Sequence, residues 1–234
     1  MRTSGSTNIR SNVAFLAAGS AIATILLLAA LHALSPEFDP SWRVVSEYAN
    51  GSYGWILSLM FCAWALSNWA LAFELWPEVK TRAGRIGLCL LLMSGIGEAM
   101  ASVFDINNHP LHEIAGAIGV LAMPIAATLI SGSLSRAQHS AKAKRSLLWT
   151  SHLISISLTL FIVSMIILVV TFHHAGGHMG PHLKQLPPGV IAINGWANRL
   201  HLVACCVWVI TVAGRRESSL RPLPCPDASL FQRS

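Results

Sequence analysis

Six apolar stretches, each long enough for one helix to cross a bilayer, constrain this chain more than any other feature. They run Val13–Leu34, Tyr53–Trp76, Ile86–Phe104, His112–Gly132, Leu147–Phe172 and Gly195–Ala213. A hydrocarbon core of about 30 Å takes roughly 20 predominantly apolar residues in α-helix. Helix is required there because backbone groups in lipid must be bonded within their own segment. The stretches use most of the 234 residues, so the expected fold is all-α, a polytopic bundle of six transmembrane helices. Residues 1–12 then form an N-terminal segment, 13–213 the membrane domain, and 214–234 a disordered tail containing Pro222, Pro224 and Pro226. Composition agrees: 11% of residues are charged, against about a quarter in a soluble domain.

Arg2 and Arg10 precede the first stretch, which gives it some likeness to a secretory signal. Its apolar run is longer than the roughly 7–15 residues of a signal core, and no small-x-small site closes it, so it is read as an anchor.

A net charge of +6 could point to nucleic acid, but the positions of the charges exclude that reading. Arg2 and Arg10 precede the first stretch; Lys80, Arg82 and Arg85 follow the second; Arg136, Lys142, Lys144 and Arg145 follow the fourth. Arg215, Arg216, Arg221 and Arg233 follow the sixth. Thirteen of the sixteen basic residues thus fall on one side, and only Arg43, Lys184 and Arg199 on or near the other. By the positive-inside rule both termini are cytoplasmic. An odd number of spans would scatter the same charges across both faces.

No C-x-x-C occurs: Cys62, Cys89, Cys205 and Cys206 lie in apolar stretches and Cys225 in the tail, which fits packing rather than a disulfide framework. The segment Pro36–Gly51 reads as a short interfacial helix. Asp39 caps it, Pro40 stands in its first turn, Asn50-Gly51 ends it, and Trp42, Val45 and Tyr48 or Ala49 form its apolar side. Gly95 and Gly97 in the third stretch, with Ala115, Gly116 and Gly119 in the fourth, provide for close helix approach, and Pro124 provides for a kink.

The acids and imidazoles gather opposite the basic loops, where Glu37, Asp39, Glu47, Asp105, His109, His112, Glu113, His173, His174, His178, His182, Arg199 and His201 all fall. Helix ends in a bundle of this size would bring them into one outer basin. Glu98 lies inside the third stretch. A mid-membrane charge costs about 2.5–3.5 kcal/mol on insertion scales, so such an acid faces a cavity or a partner. Asp105 follows at i+7 on the same helix face. Asp105 and His112 flank a tight loop and form a candidate general acid/base couple or shared metal site; helix capping is the plainer role for both. His112-Glu113 is not followed by the second histidine of a zincin.

In His173-His-Ala-Gly-Gly-His-Met-Gly-Pro-His182 the candidate metal ligands are His174, His178 and His182. The glycines and Pro181 break any helical register, so no functional metal site is expected. Haem held by histidines among His32, His112 and His201 would need two imidazoles facing each other at matched depth, which sequence does not show; a histidine near a helix end is more often a polar interface residue, and no cofactor is expected. Arg199, one turn into the sixth stretch, calls for an anion such as Glu47, Asp105 or a lipid phosphate. Motifs for ATP, for a dinucleotide and for a serine nucleophile elbow are absent.

These residues carry a resemblance. Ser46-Glu-Tyr48 with Gly51 and Gly54, Phe104-Asp105, His112 with Gly116, and Gly195-Trp-Ala-Asn-Arg199 resemble a family of bacterial integral-membrane proteins known as domain of unknown function 998, over about residues 13–213. The resemblance implies a six-helix membrane fold and a bacterial plasma membrane, but no established activity. The histidine-rich segment 173–182 departs from the family pattern.

The leading functional expectation is an outer-leaflet pocket that binds a lipid or other amphiphilic small molecule. Glu47, Tyr48 and Arg199 would bind it, and Glu98, Asp105 and His112 would serve acid/base chemistry. One alternative is a transporter or channel in which Glu98 and Asp105 relay protons or ions, with Ser67, Asn68, Ser94 and His152 as the only polar residues further in. Another is a structural accessory subunit. No nucleic-acid partner is expected, and the sequence does not set an oligomeric state.

Overall fold

The computed structural model describes residues 4–136, 138, 140–176 and 185–220. It is all-helical over these residues: α1 (Ser4–Leu34), a short 3-10 helix (Val45–Asn50), α2 (Gly54–Leu75), α3 (Arg82–Val103), α4 (Leu111–Ser135), α5 (Ala141–His174) and α6 (Asn194–Leu220). All six α-helices are long and apolar enough to span a bilayer. Each packs on its neighbours in sequence, α6 closes the ring on α1, and α2 and α6 also touch across the middle.

The exterior is what a bilayer requires of such a ring. Large apolar side chains such as Leu26, Phe73, Ile86, Val103 and Ile166 point outward on every side, far more apolar surface than a soluble monomer exposes. Exposed Trp55 and Trp196 stand near one end of the bundle and Trp76 and Trp149 near the other, the two belts in which tryptophan meets headgroups. The protein is a multi-pass integral membrane protein. Lysines and arginines of the α2–α3 and α4–α5 connections mark the basic end; the 3-10 helix, the α3–α4 loop and the start of α6 mark the opposite end.

Helix ends run past the apolar stretches where a cap allows it. Ser140 Oγ accepts from Ala143 N at 3.4 Å, starting α5 six residues before Leu147. Thr81 Oγ1 accepts from Gly84 N at 3.1 Å and donates to Ser133 Oγ at 2.7 Å, so the cap of α3 also ties it to α4. At its far end α6 continues to Leu220, beyond the tail boundary expected at residue 214. Helix α4 continues unbroken through Pro124.

Close approach of α3 and α4 rests on Gly97: a methyl there would stand 2.7 Å from Ala115 O and 2.8 Å from Gly119 Cα. Two of the expected small-residue contacts lie elsewhere. Gly95 packs beneath the Trp69 indole of α2, and Gly116 has open space where a side chain would go. The segment Pro36–Gly51 also differs from expectation. Asp39 accepts from Ser41 N at 2.9 Å in a local turn instead of capping a helix, and helix forms only at Val45–Asn50, where Val45 and Tyr48 are buried.

Candidate functional site

The segment before α2 is fastened over the opposite end by α6. Gly195 N donates to Ser41 O at 3.1 Å, Asn194 Nδ2 to Trp42 O at 2.9 Å, and Val45 N to Asn198 Oδ1 at 2.9 Å. Gly195 is needed because a methyl there would come within 2.6 Å of Arg43 O. Arg199 completes the latch. Its Nη1 donates to Arg43 O at 2.7 Å and to Gly195 O at 2.9 Å, and its Nη2 donates to Tyr48 Oη at 2.9 Å. Both side chains are buried, with the Arg199 guanidinium 5.3 Å from the centre of the Tyr48 ring.

Arg199 therefore solves its burial differently from the expected ion pair. Its bonds go to carbonyls and a phenol, and among the described residues no carboxylate reaches it. Glu47 instead pairs with Arg43 and accepts from Val44 N at 3.2 Å. The Arg199 Nε is buried with no partner among the described residues.

Beneath the latch lies a cavity of about 540 Å³. Its walls come from five helices: Phe61 and Trp64 of α2, Glu98 and Ala101 of α3, His112, Gly116, Ala117 and Leu121 among others of α4, Phe161 and Met165 of α5, and Asn198, His201 and Leu202 of α6, with Val44–Ser46 above. Glu98 sits on α3 roughly 8 Å below the helix end, five residues from Val103 at 1.5 Å each. It is 4% exposed and makes no hydrogen bond or ion pair with the described residues. Gly119 makes room for it: a methyl there would stand 2.7 Å from Glu98 Oε1. Trp64 Nε1 is likewise buried without an acceptor among the described residues.

His201 is the second buried polar group in this wall. Ser157 Oγ donates to Ile154 O at 2.9 Å, so His201 Nδ1–H donates to Ser157 Oγ at 3.1 Å. That leaves Nε2 to accept from the Cys205 thiol, 3.8 Å away. The cavity is also open sideways. Leu121 is 53% exposed and Met165 37% exposed, and both line it, so its mouth lies between α4 and α5 on the surface facing lipid.

A second hollow of about 510 Å³ lies nearer the bundle end, lined by Trp42, Arg43, Glu47, Asn107, His109 and Asn194 among others, and it shares Val44 and Met165 with the first. The single basin expected from sequence is thus divided. Glu98 and His112 line the deeper cavity and Glu47 the outer hollow, while Tyr48 and Arg199 belong to the latch between loop and helix.

Asp105 and His112 are not paired. Asp105 Oδ1 accepts from Asn107 N at 3.0 Å and Asn108 Nδ2 at 2.9 Å, and His112 Nδ1 donates to Phe104 O at 2.8 Å, so each holds the α3–α4 loop. His174 is exposed at the end of α5, and His178 and His182 lie outside the described residues. Among the described residues no group of three His, Cys, Asp or Glu is placed to hold a metal. Of the histidines considered for haem, His112 and His201 line the deeper cavity, whereas His32 packs on Trp196 at 5.6 Å.

Sequence reasoning passed over Trp64, Asn194 and Asn198 as site residues, and weighed His201 only as a member of the outer basin and a haem ligand. The spacing of Asn194, Asn198, His201 and Leu202 is the i, i+4, i+7, i+8 pattern of one helix face, and that signal could have grouped them.

Comparison with curated proteins and with solved structures returns no match. The model of one family does match, over residues 15–215, nearly the whole bundle. Motif segments that led to the resemblance meet in space: Ser46-Glu-Tyr48 and Gly195–Arg199 are the two halves of the latch, and Phe104 and His112 close the α3–α4 loop. The chain belongs to the family described as protein of unknown function DUF998.

Proposed function

We propose that this protein binds an amphiphilic, lipid-like molecule of the outer leaflet in the deeper cavity and acts on it, or presents it, through Glu98 and His201. The basic end is placed in the cytoplasm by the positive-inside rule, which puts the cavity mouth at outer-leaflet depth. A bacterial plasma membrane is the host this reading adopts from the family resemblance.

One observation carries the proposal. The same cavity has lipid-exposed walls, Leu121 and Met165, and a buried carboxyl, Glu98, with no hydrogen-bond or ion-pair partner among the described residues. An apolar chain leaves water for neither part of that path, while a polar group on the ligand supplies what Glu98 and Trp64 Nε1 lack. His201 keeps its proton on Nδ1 and Glu98 carries a carboxyl, so the wall holds two groups able to exchange a proton with the polar linkage between the chain and the headgroup of a bound molecule. Asp105 and His112 then serve by fixing the loop above.

A photoreactive diazirine fatty acid, incorporated by growing cells before purification, tests the reading. Adducts are expected on Phe61 and Trp64, which line the cavity and are buried from the membrane face. Adducts confined to outward residues such as Phe73 and Val103 would show bulk-lipid contact only and would contradict the proposal.

A transporter reading draws on one feature. Below Glu98, Asn68 Nδ2 donates to Ser94 Oγ at 3.4 Å and Ser94 Oγ to Gly119 O at 3.1 Å, continuing a polar path one turn inward. His152, the remaining sequence candidate, is exposed on α5 away from this path. Proton flux into proteoliposomes that is lost in Ser94→Val would favour transport over binding.

A further inference from the structure

We infer that the outer hollow is the headgroup compartment of the same ligand, and that it selects an uncharged, polyhydroxylated headgroup, the hydroxyls of a sugar or glycerol, over a phosphate. This rests on the reading of the deeper cavity as the compartment that takes the chain and its polar linkage. Continuity comes first: the two hollows share Val44 and Met165, so a single molecule with its chain between α4 and α5 would meet the outer one next.

Polarity then sets the class. Asn194 is 1% exposed, lines the hollow, and spends its Nδ2 on Trp42 O and the Met165 thioether, which fixes the amide orientation. Its Oδ1 is buried with no donor among the described residues. A buried acceptor without a donor calls for an N–H or O–H on whatever occupies the space.

Charge decides between the donors. The cation in the wall, Arg43, is ion-paired with the carboxylate in the wall, Glu47, and His109 is bonded to Glu113 at 2.8 Å. A phosphate entering there would face Glu47 across a site whose positive charge is already balanced, whereas a hydroxyl donates to Asn194 Oδ1 or Glu47 without any net charge to offset. Trp42 adds an aromatic ring of the kind on whose face a sugar ring rests, one of its two faces being covered by the Arg43 guanidinium at 3.9 Å.

Delipidated protein in detergent, offered glucosyl-diacylglycerol, phosphatidylethanolamine and phosphatidic acid with identical acyl chains, separates the outcomes by native mass spectrometry. Wild type is expected to retain the glucosyl lipid at least about tenfold over phosphatidic acid. Asn107→Trp fills the hollow from an exposed loop position, and is expected to keep chain binding while levelling that preference. Ala117→Trp, in the deeper cavity, is expected to lose all three lipids. Preference for phosphatidic acid or phosphatidylethanolamine, or a preference unchanged in Asn107→Trp, would overturn the headgroup assignment and leave the deeper cavity standing. Retention of none of the three by wild type would overturn both.

Discussion

Arg199 donates to the Tyr48 hydroxyl at 2.9 Å across 151 residues of sequence, and this contact joins the loop before α2 to the first turns of α6. Removing the hydroxyl leaves part of a buried guanidinium without an acceptor, which costs about 1–3 kcal/mol. Tyr48→Phe is therefore expected to lower the unfolding temperature in detergent, and Arg199→Ala to lower it further, because the bonds to three acceptors are lost at once. In a double-mutant cycle Tyr48→Phe with Arg199→Met should cost less than the sum of the singles. Full additivity would mean that the two side chains are not coupled.

Two glycines in the same pair of helices should behave oppositely. Gly97→Ala drives a methyl to 2.7 Å from Ala115 O, and forcing α3 from α4 is expected to cost about 1–3 kcal/mol. Gly116→Ala enters open space and should leave thermal stability within about 0.5 kcal/mol of wild type. Equal losses at both positions would contradict the packing described for α3 and α4.

Glu98 gives a separate test, because its carboxyl has room only while residue 119 lacks a side chain. Glu98→Gln keeps shape and removes a group that is costly to charge in the membrane, so folded yield should hold or rise. If the carboxyl transfers a proton, the same variant loses about 10²–10⁴-fold in turnover once a substrate is in hand. Glu98→Leu should release bound lipid roughly five- to tenfold more readily, the cost of one neutral hydrogen bond. Retention unchanged in Glu98→Leu would remove Glu98 from the site.

Orientation is open to direct labelling. In a Cys225→Ser background, Asn107→Cys in the α3–α4 loop should react with a membrane-impermeant maleimide on intact cells, and Lys142→Cys at the start of α5 only after lysis. The native Cys62, Cys89, Cys205 and Cys206 lie within the spans, shielded by lipid or protein. The reverse pattern would place the cavity mouth in the inner leaflet.

The helices were legible from sequence because lipid leaves the chain so few options. Each apolar stretch of about 20 residues must be a helix, and each observed helix contains or closely matches its stretch. Glu98 was legible for the same reason, since a lone acid in an apolar run needs a cavity or a partner, and it lines one. Partners across the bundle were not legible. Arg199 finds Tyr48 and two carbonyls instead of Glu47 or Asp105, because depth and rotation of α6 relative to the loop decide which acceptor it meets. Asp105 has a carboxyl of the kind acid/base chemistry uses, and one of its oxygens is bonded to two amides of its own tight turn, which sequence did not show. His201 looked like one more interfacial histidine; only the register of α6 against α5 puts it on Ser157 and in the cavity wall.

The central claim, that the deeper cavity holds an amphiphile, is tested most directly by the lipid that survives purification. Gly116→Phe places an aromatic ring in the open space of that cavity without touching the latch. The account predicts that mass spectrometry finds a discrete lipid-like species bound to wild type in near-stoichiometric amount, and at least fivefold less on folded Gly116→Phe. The same species in equal amount on both proteins would contradict it.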